Sequence, residues 1–457
     1  MPMDRIIGSG AGVASPARTL AALGLAAALL GGCVGLGGEG GGIASRTSQS
    51  PSGLAAPLTG NLASDPAGAR AEAGSPLISD LQARRSVLPP GGAYARVADA
   101  VLQADSGTSA AELRIARLRS EARAKNWLPK LGPTVSLTSL NGLAAGLLLE
   151  QALFDHGKRK AERAYAAADV EVAAITLSTD INQRIFEGLT HYIRAERARA
   201  QGEISARALT RIEDFAEVMR QRVSGGMSDN SEQQVIAQHL AEMQATAATD
   251  REAEISAMAE LNAMSAPGLE AVRGIERLNV RGHRAEPLSV VKVRGEGQRS
   301  LAESRIARAG LMPGLGASVD LAADGLNPGL RLGGSGLLGM GTREEFAALN
   351  ATSDVVARRS AEAAEAADRR IVALEREIAQ LESRMAQGAS VLAQTEANLG
   401  LFVEQYKLGR RTLLELVGQY DSFARLERDQ AALRYEIALL EVEIARDRGL
   451  LVDGARM

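Results

Sequence analysis

Phe154-Asp155-His156-Gly157-Lys158-Arg159 opens a run that continues to Ser224 without a proline, with Gly188 and Gly202 as its only weak points for a helix. Read as one helix, the 67 residues Lys158–Ser224 would span about 100 Å at a rise of roughly 1.5 Å per residue. Ordinary globular helices run to about 11–12 residues. A second such run begins at Gly341-Thr342-Arg343 and closes at Gly409; Thr342–Leu408 is again 67 residues without proline. Gly157 to Gly341 is 184 positions, and so is Pro129 to Pro313. Gly226 to Gly409 is 183, and each of these glycines is followed six residues later by a glutamate, Glu232 and Glu415. A repeat of this kind fixes the architecture before any local reading. The chain is a duplicated long-helix protein.

Composition agrees. Aromatics make up only 3% of 457 residues, too few for a large globular core, whereas alanine-rich helix faces can pack closely. A formal charge of -3, from 52 basic and 55 acidic residues, leaves no nucleic-acid footprint. The single cysteine rules out a disulfide framework. It stands in an export-like context. Arg5 and Arg18 precede the apolar run Leu20–Leu30, which is too short to span a bilayer. Leu30-Gly31-Gly32-Cys33 resembles a bacterial lipoprotein box, which predicts a signal peptide over 1–32 and lipidation of Cys33. Residues 33–90 are rich in Gly, Ser, Ala and Pro and read as a flexible lipidated linker.

From Ala93 to Asn126 the pattern is helical in two pieces, broken near Asp105-Ser106-Gly107-Thr108. The period then changes. Val135 and Leu137 alternate with Thr134, Ser136 and Thr138 as in a strand with one apolar face. Asn141-Gly142 is a hairpin signal, and Leu143–Leu153 returns. In the second copy Ala317, Val319 and Leu321 alternate, a turn is expected at Asp324–Gly329, and Leu330–Leu338 returns. The four strands contain no aromatic residue before Phe154, unlike the usual girdled membrane barrel.

The long runs carry coiled-coil spacing: Ile181, Ile185, Leu189 and Ile193; Ile371, Leu374, Ile378, Leu381 and Met385; Leu433, Ile437, Leu440 and Ile444. Gly226 and Gly409 are the tip turns, and return helices are expected at about 231–264 and 412–450. Between the copies, 266–300 reads as a loop-like inter-repeat segment with short β-like stretches such as Leu288–Val293. The expected organisation is a first repeat over 91–265 and a second over 301–457. The fold class is mainly α with a small β part, a duplicated hairpin plus long antiparallel helices.

The stretch Leu153-Phe154-Asp155 followed by Gly157-Lys158-Arg159 and a long helix resembles the TolC family of outer-membrane efflux proteins. So does Tyr406-Lys407-Leu408-Gly409-Arg410-Arg411-Thr412-Leu413-Leu414-Glu415-Leu416, which is similar to the family's second helix-tip motif. The resemblance covers roughly Ala93–Val452. It implies a lipid-anchored homotrimer in the bacterial outer membrane, with a trimeric α-barrel tunnel in the periplasm under a shared 12-stranded β-barrel. It also implies docking of a periplasmic adaptor and an inner-membrane pump at the helix tips. Tyr406, Arg411 and Glu415 fall on the family's gate positions in the second repeat, and Glu232 on the acidic position of the first. A further acidic position is Gly418 here.

Residue chemistry allows those roles independently. Three copies of Glu232 and Glu415 around an axis would form a cation-selecting acidic ring, and an Arg411–carboxylate pair could act as a latch. The alternative is an ordinary i,i+4 surface pair between Arg411 and Glu415. Lys407, Arg410 and Arg411 could meet an adaptor or simply solvate a turn. His156, His191, His239 and His283 lie far apart without ligand spacing, so no metal, cofactor or enzyme activity is expected. Two functions follow: an exit duct of a tripartite efflux pump or type I secretion system, or a non-conducting envelope-spanning scaffold. The amphipathic hairpins favour the duct. The substrate is not legible.

Overall fold

The structure, a computed structural model, describes residues 75–139, 142–322, 325–333 and 341–456. The signal peptide, Cys33, Asn141, Asp324 and the expected strand residues 334–338 lie outside the described residues. In chain order the elements are α1 (Pro76–Ala83), α2 (Ala93–Gln103), α3 (Thr108–Ala124), β1 (Lys130–Ser139), β2 (Gly142–Phe154), α4 (Lys158–Ser224), α5 (Asn230–Met264), α6 (Leu288–Gly310), β3 (Gly314–Ala322), β4 (Gly325–Gly333), α7 (Thr342–Lys407) and α8 (Leu413–Asp447).

The opening motif of α4 has a backbone explanation. His156 and Gly157 both take positive φ, 51° and 83°, and the Asp155 carboxylate accepts from the amides of Gly157 at 3.0 Å and Arg159 at 2.9 Å. That satisfies donors the helix start would otherwise leave unpaired. α4 then runs unbroken for 67 residues, and α7 for 66. Gly341 opens α7 at φ -85°, so the two matching glycines do different work.

α4 is the element the others lean on. On the sheet side it packs against α3 and α6, and α6 packs in turn on α7. On the tip side α4 packs against α5 and α8, and α8 on α7. Each half of the body is therefore a row of four helices, α3-α4-α6-α7 above and α5-α4-α8-α7 below. The coiled-coil stripes face these contacts. Ile185, Leu189, Ile193, Ile371, Ile378, Leu433, Ile437 and Ile444 are buried, and α5 buries Ile236, Met243, Asp250 and Ala257 at seven-residue steps. Gly297 on α6 lets Val356 of α7 approach so closely that a Cβ would meet its Cγ1 at 2.6 Å. α7 itself buries only Ala367, Ile371 and Ile378.

A belt crosses the long helices at mid-length. Tyr94, Val97 and Val101 of α2, Leu269, Val272, Leu278 and Val280 of the inter-repeat loop, and Leu450–Val452 join Ile185, Tyr192, Ile437 and Val442 in one core. Helix carboxylates hold the loop backbone: Glu196 accepts from Gly274 N–H at 2.8 Å and Glu441 from Leu278 N–H at 3.0 Å. Below the belt, Asp250 of α5 pairs with Arg428 of α8 and accepts from the Ser205 hydroxyl of α4 at 2.7 Å. That pins three helices through one buried carboxylate.

Three expectations need correction. Residues 75–90 are not all tether: Ser75 caps α1, whose Leu77, Ile78 and Leu81 are buried. Leu288–Val293 is the first turn of α6 rather than a β-like stretch. Pro287 supplies the preorganised entry φ, and burial of Leu288 and Val291 against Leu77, Leu81 and Ile175 outweighs the β preference of the valines. The second hairpin turns earlier than Asp324–Gly329, because β4 already pairs at Gly325↔Ala322. Asn327-Pro328-Gly329 lies inside the strand, where an edge position tolerates proline.

The four strands form one antiparallel sheet, β1-β2-β3-β4. Its register sorts the side chains. Leu131, Pro133, Leu147, Leu149, Val319, Leu321, Leu326, Pro328, Leu330 and Leu332 share one face. Lys130, Thr134, Glu150, Ser318, Asp320, Asn327 and Arg331 share the other, interrupted by Leu148 and Ala152. The apolar face is bare in the single chain, with Leu330 and Leu332 76% and 79% exposed.

Glu441 sets a pH test. Its burial pushes its carboxyl above the usual glutamate range, against the opposing pull of Leu278 N–H and Arg277. A raised acid favours the protonated folded form, so its contribution to stability is greatest at low pH and is lost as pH rises through the raised value. Glu441→Gln keeps an acceptor for Leu278 N–H. It should flatten this decline and raise the neutral-pH Tm of the detergent-solubilised protein relative to wild type, as read by thermal unfolding across pH.

Candidate functional site: the helix tips

Both long helices end in the same turn. At the end of α4, Gly226 N–H bonds Val223 O at 3.0 Å and Met227 N–H bonds Arg222 O at 2.8 Å. At the end of α7, Gly409 N–H bonds Tyr406 O and Arg410 N–H bonds Gln405 O, both at 2.9 Å. This six-to-one and five-to-two pairing is the Schellman motif, which needs a left-handed residue just past the helix. Gly226 and Gly409 supply it at φ 71° and 73°. The repeated glycine spacing thus reflects a repeated backbone turn.

The chain re-enters a helix within a few residues. Asp229 caps α5 by accepting from the amides of Ser231 and Glu232 at 2.8 and 3.0 Å. Thr412 caps α8, and here the box closes. Glu415 N–H donates to Thr412 Oγ1 at 3.2 Å, while Glu415 Oε2 accepts from Thr412 N–H at 3.0 Å. Glu232 and Glu415 stand at equivalent third positions of their helices, but the capping box is formed only at Glu415. Glu232 is half-buried.

Arg411 is held within its own chain. Its guanidinium donates to Gln405 Oε1 at 3.0 Å and to Glu415 Oε1 at 3.1 Å, and lies 4.8 Å from the Phe402 ring centre. Thr412 N–H, with Arg411 after it, holds the exposed Glu415 carboxyl below the usual range. Tyr406 is half-buried beside Phe402, Leu413 and Leu416 in an apolar knot. That knot also takes Ile212, Phe215 and Met219 of α4 and Ile236 of α5, so all four helices meet at the tip. The structure therefore brings Arg411 and Glu415 together, and sets Tyr406 in the packing beneath them. Gly418 lies one turn on, where a Cβ would meet nothing within 4 Å.

Phe402 is legible in sequence only as a member of the apolar stripe Leu392, Leu399, Phe402 and Tyr406, and nothing in sequence marks Gln405 as part of the tip. For Asp229 a signal exists: Asp229-x-x-Glu232, like Thr412-x-x-Glu415, is a capping pattern.

Solved structures of the same shape decide the fold. The Campylobacter jejuni outer membrane channel CmeC superposes with a TM-score of 0.66 at 11% identity, over 79% of this chain and 87% of that one. The outer membrane protein VceC of Vibrio cholerae gives 0.65 at 16% identity, over 79% and 96%. The open state of the Neisseria gonorrhoeae MtrE outer membrane channel gives 0.63 at 16% identity, over 82% and 95%. The fold is that of the TolC-family outer-membrane channels. No protein-family model matches the sequence, and no curated protein sequence does. The likeness lies in the TolC-type backbone, while side chains have diverged almost completely.

Gly409 and Gly418 give opposite expectations. Gly409→Ala places a Cβ in a left-handed turn and should destabilise the tip by about 1 kcal/mol. Gly418→Ala lies inside α8 with room for a methyl and should stabilise it by roughly 0.5–1 kcal/mol. Amide hydrogen exchange at residues 409–416 should quicken in the first variant and slow in the second.

Proposed function

We propose that this chain is one subunit of an outer-membrane exit duct, the channel component of a tripartite efflux pump or type I secretion system. The observation that carries it is the sheet: one bare apolar face, one polar face, and two lateral edges. Among the described residues no helix is long and apolar enough to cross a membrane; in this reading the sheet would be the membrane element. Three of its strands, of 9 and 10 residues, fall within the 9–11 of a tilted membrane strand, and β2 runs longer at 13 residues.

Four strands cannot close alone, and open edges are not tolerated in lipid. Three copies would give a 12-stranded barrel, its leucines outward and Lys130, Glu150, Asp320 and Arg331 lining the lumen. The helical rows have the same need. Exposed Ile115 and Leu118 of α3 and Ile255 of α5 lie on helices at one side of the rows, and exposed Val355, Val372, Val391 and Leu401 on α7 at the other. Joining these sides around a threefold axis makes the α-barrel tunnel. Cys33 would carry the lipid anchor. The tips, carrying Lys407, Arg410, Arg411, Glu232 and Glu415, would form the periplasmic gate and the docking end for an adaptor and an inner-membrane pump.

Opening such a gate means exchanging the Arg411 contacts to Gln405 and Glu415 for others. Exposed pairs are worth little individually, which suits a latch. In planar bilayers wild type should conduct poorly, whereas Arg411→Ala and Glu415→Ala should open to a larger, cation-preferring conductance. No conductance from any of the three, with trimers confirmed in the membrane, would leave the scaffold reading in its place.

A further inference from the structure

The barrel-to-helix junction carries a surface that the duct reading leaves unused. Trp127, 58% exposed, stands between α3 and β1, with Leu128 and Leu131 also exposed. The connection is anchored beside it. Asn126 Nδ2 donates to Arg159 O at 3.1 Å and to Glu162 Oε2 at 3.0 Å, tying it to the first turn of α4. At the end of β2 the register shifts between Ala152 and Phe154, so that Phe154 pairs with Leu315. Leu315 in turn pairs with Leu332 of the apolar face. This bulge turns Phe154 from the polar set to the apolar one, a known use of bulges. His156 holds the corner by its ring contact with Phe154 and a 3.1 Å bond to Pro313 O. Two aromatics therefore mark one rim of the apolar face, where the strand sequences themselves supply none.

Charge brackets the same rim. Arg123, Lys125 and Lys130 surround Trp127 with no acid among residues 123–130. Lys158, Arg159, Lys160 and Arg163 follow on α4 with Glu162 as the sole acid of that turn. Arg123 pairs with Glu162 at 3.5 Å and Arg159 lies 3.9 Å from Asp155. Lys125, Lys130 and Lys160 are exposed, and among the described residues none of the three makes an ion pair. Glu150, the register partner of Lys130, is the nearby acid on the polar face.

Resting on the exit-duct reading, we infer that this rim is a lipid-headgroup collar: Trp127, Leu128 and Phe154 lie at the membrane interface while Lys125 and Lys160 bind acidic phospholipids of the leaflet facing the helices, Lys130 being turned to the lumen with its register partner Glu150. The occupant is set by continuity with the apolar sheet face and by charge. Interfacial aromatics are amphipathic anchors at headgroup level, and each basic side chain near an anionic surface strengthens its hold roughly fivefold.

Trp127 is the only tryptophan in the sequence, so it reports on the collar directly. The full-length protein is reconstituted in vesicles containing phosphatidylcholine or phosphatidylglycerol brominated at the same shallow acyl position. Trp127 emission should be quenched by both, and about threefold more effectively by the acidic lipid at equal mole fraction. High salt and the variant Lys125→Gln/Lys160→Gln should abolish the difference but leave the quenching. Equal quenching by the two lipids would remove the acidic preference. No quenching, with the strands protected from protease in the same vesicles, would overturn the collar while leaving the barrel intact. Strands digested in the vesicles would overturn the duct reading and the collar with it.

Discussion

The outer edges of β1 and β4 are the constraint on which the molecule turns. Each carries a row of backbone N–H and C=O groups with no partner in the chain's own sheet. In water such edges are a hazard managed by charge or proline. In hydrocarbon every unpaired group costs several kcal/mol. A four-stranded sheet with a largely apolar face, interrupted by Gln151 opposite Ala317, therefore has no stable environment by itself. It needs neighbours of matching edge geometry, which under the proposed exit duct are copies of the same chain. Pro328 in β4 fits this only where its missing N–H is not required across the seam.

The helical body repeats that logic in another material. Helices satisfy their own backbones, so the rows below the sheet are bounded by side chains rather than hydrogen bonds. α4 is packed along most of its length, whereas α7, of equal length, buries three residues. Most of so long an element is left uncovered by its own chain. Glycines at 295 and 297 bring α6 close against α4 and α7.

Much of this was legible from spacing. Prolines and glycines at a common offset located the two copies, and three-and-four steps of Ile and Leu placed the buried stripes, because those periods are direct projections of backbone geometry. Elements decided by contacts distant in sequence were not legible. Leu288–Val293 has the composition of a strand and becomes helix because α1 and α4 cover it. α1 hides in a linker-like composition for the same reason. At the tip, sequence located Tyr406, Arg411 and Glu415. It could not tell that the Glu415 carboxylate is shared between Thr412 N–H and Arg411, since both partners are local and either alone explains the spacing. Phe402 and Gln405 lie on the preceding helix, across a turn whose closure only the backbone reveals.

The belt has a consequence for how the chain is made. Val87 N–H bonds Leu450 O, Ser86 N–H bonds the Asp453 carboxylate, and Gly454 N–H bonds Arg84 O, each at 2.9 Å. The buried Arg84 guanidinium reaches Arg448 O at 2.7 Å, and the buried Asn182 side chain accepts from Leu451 N–H at 2.9 Å. These partners lie up to 370 residues apart. A polypeptide emerging in order holds residues 84–87 and Asn182 without their mates until 448–454 arrive. Both repeats can coil before then, through contacts local to each hairpin, but the clasp at mid-length shuts afterwards. Folding is thereby ordered in time: a nascent chain lacking its final clasp keeps a loose waist, which the last residues draw shut.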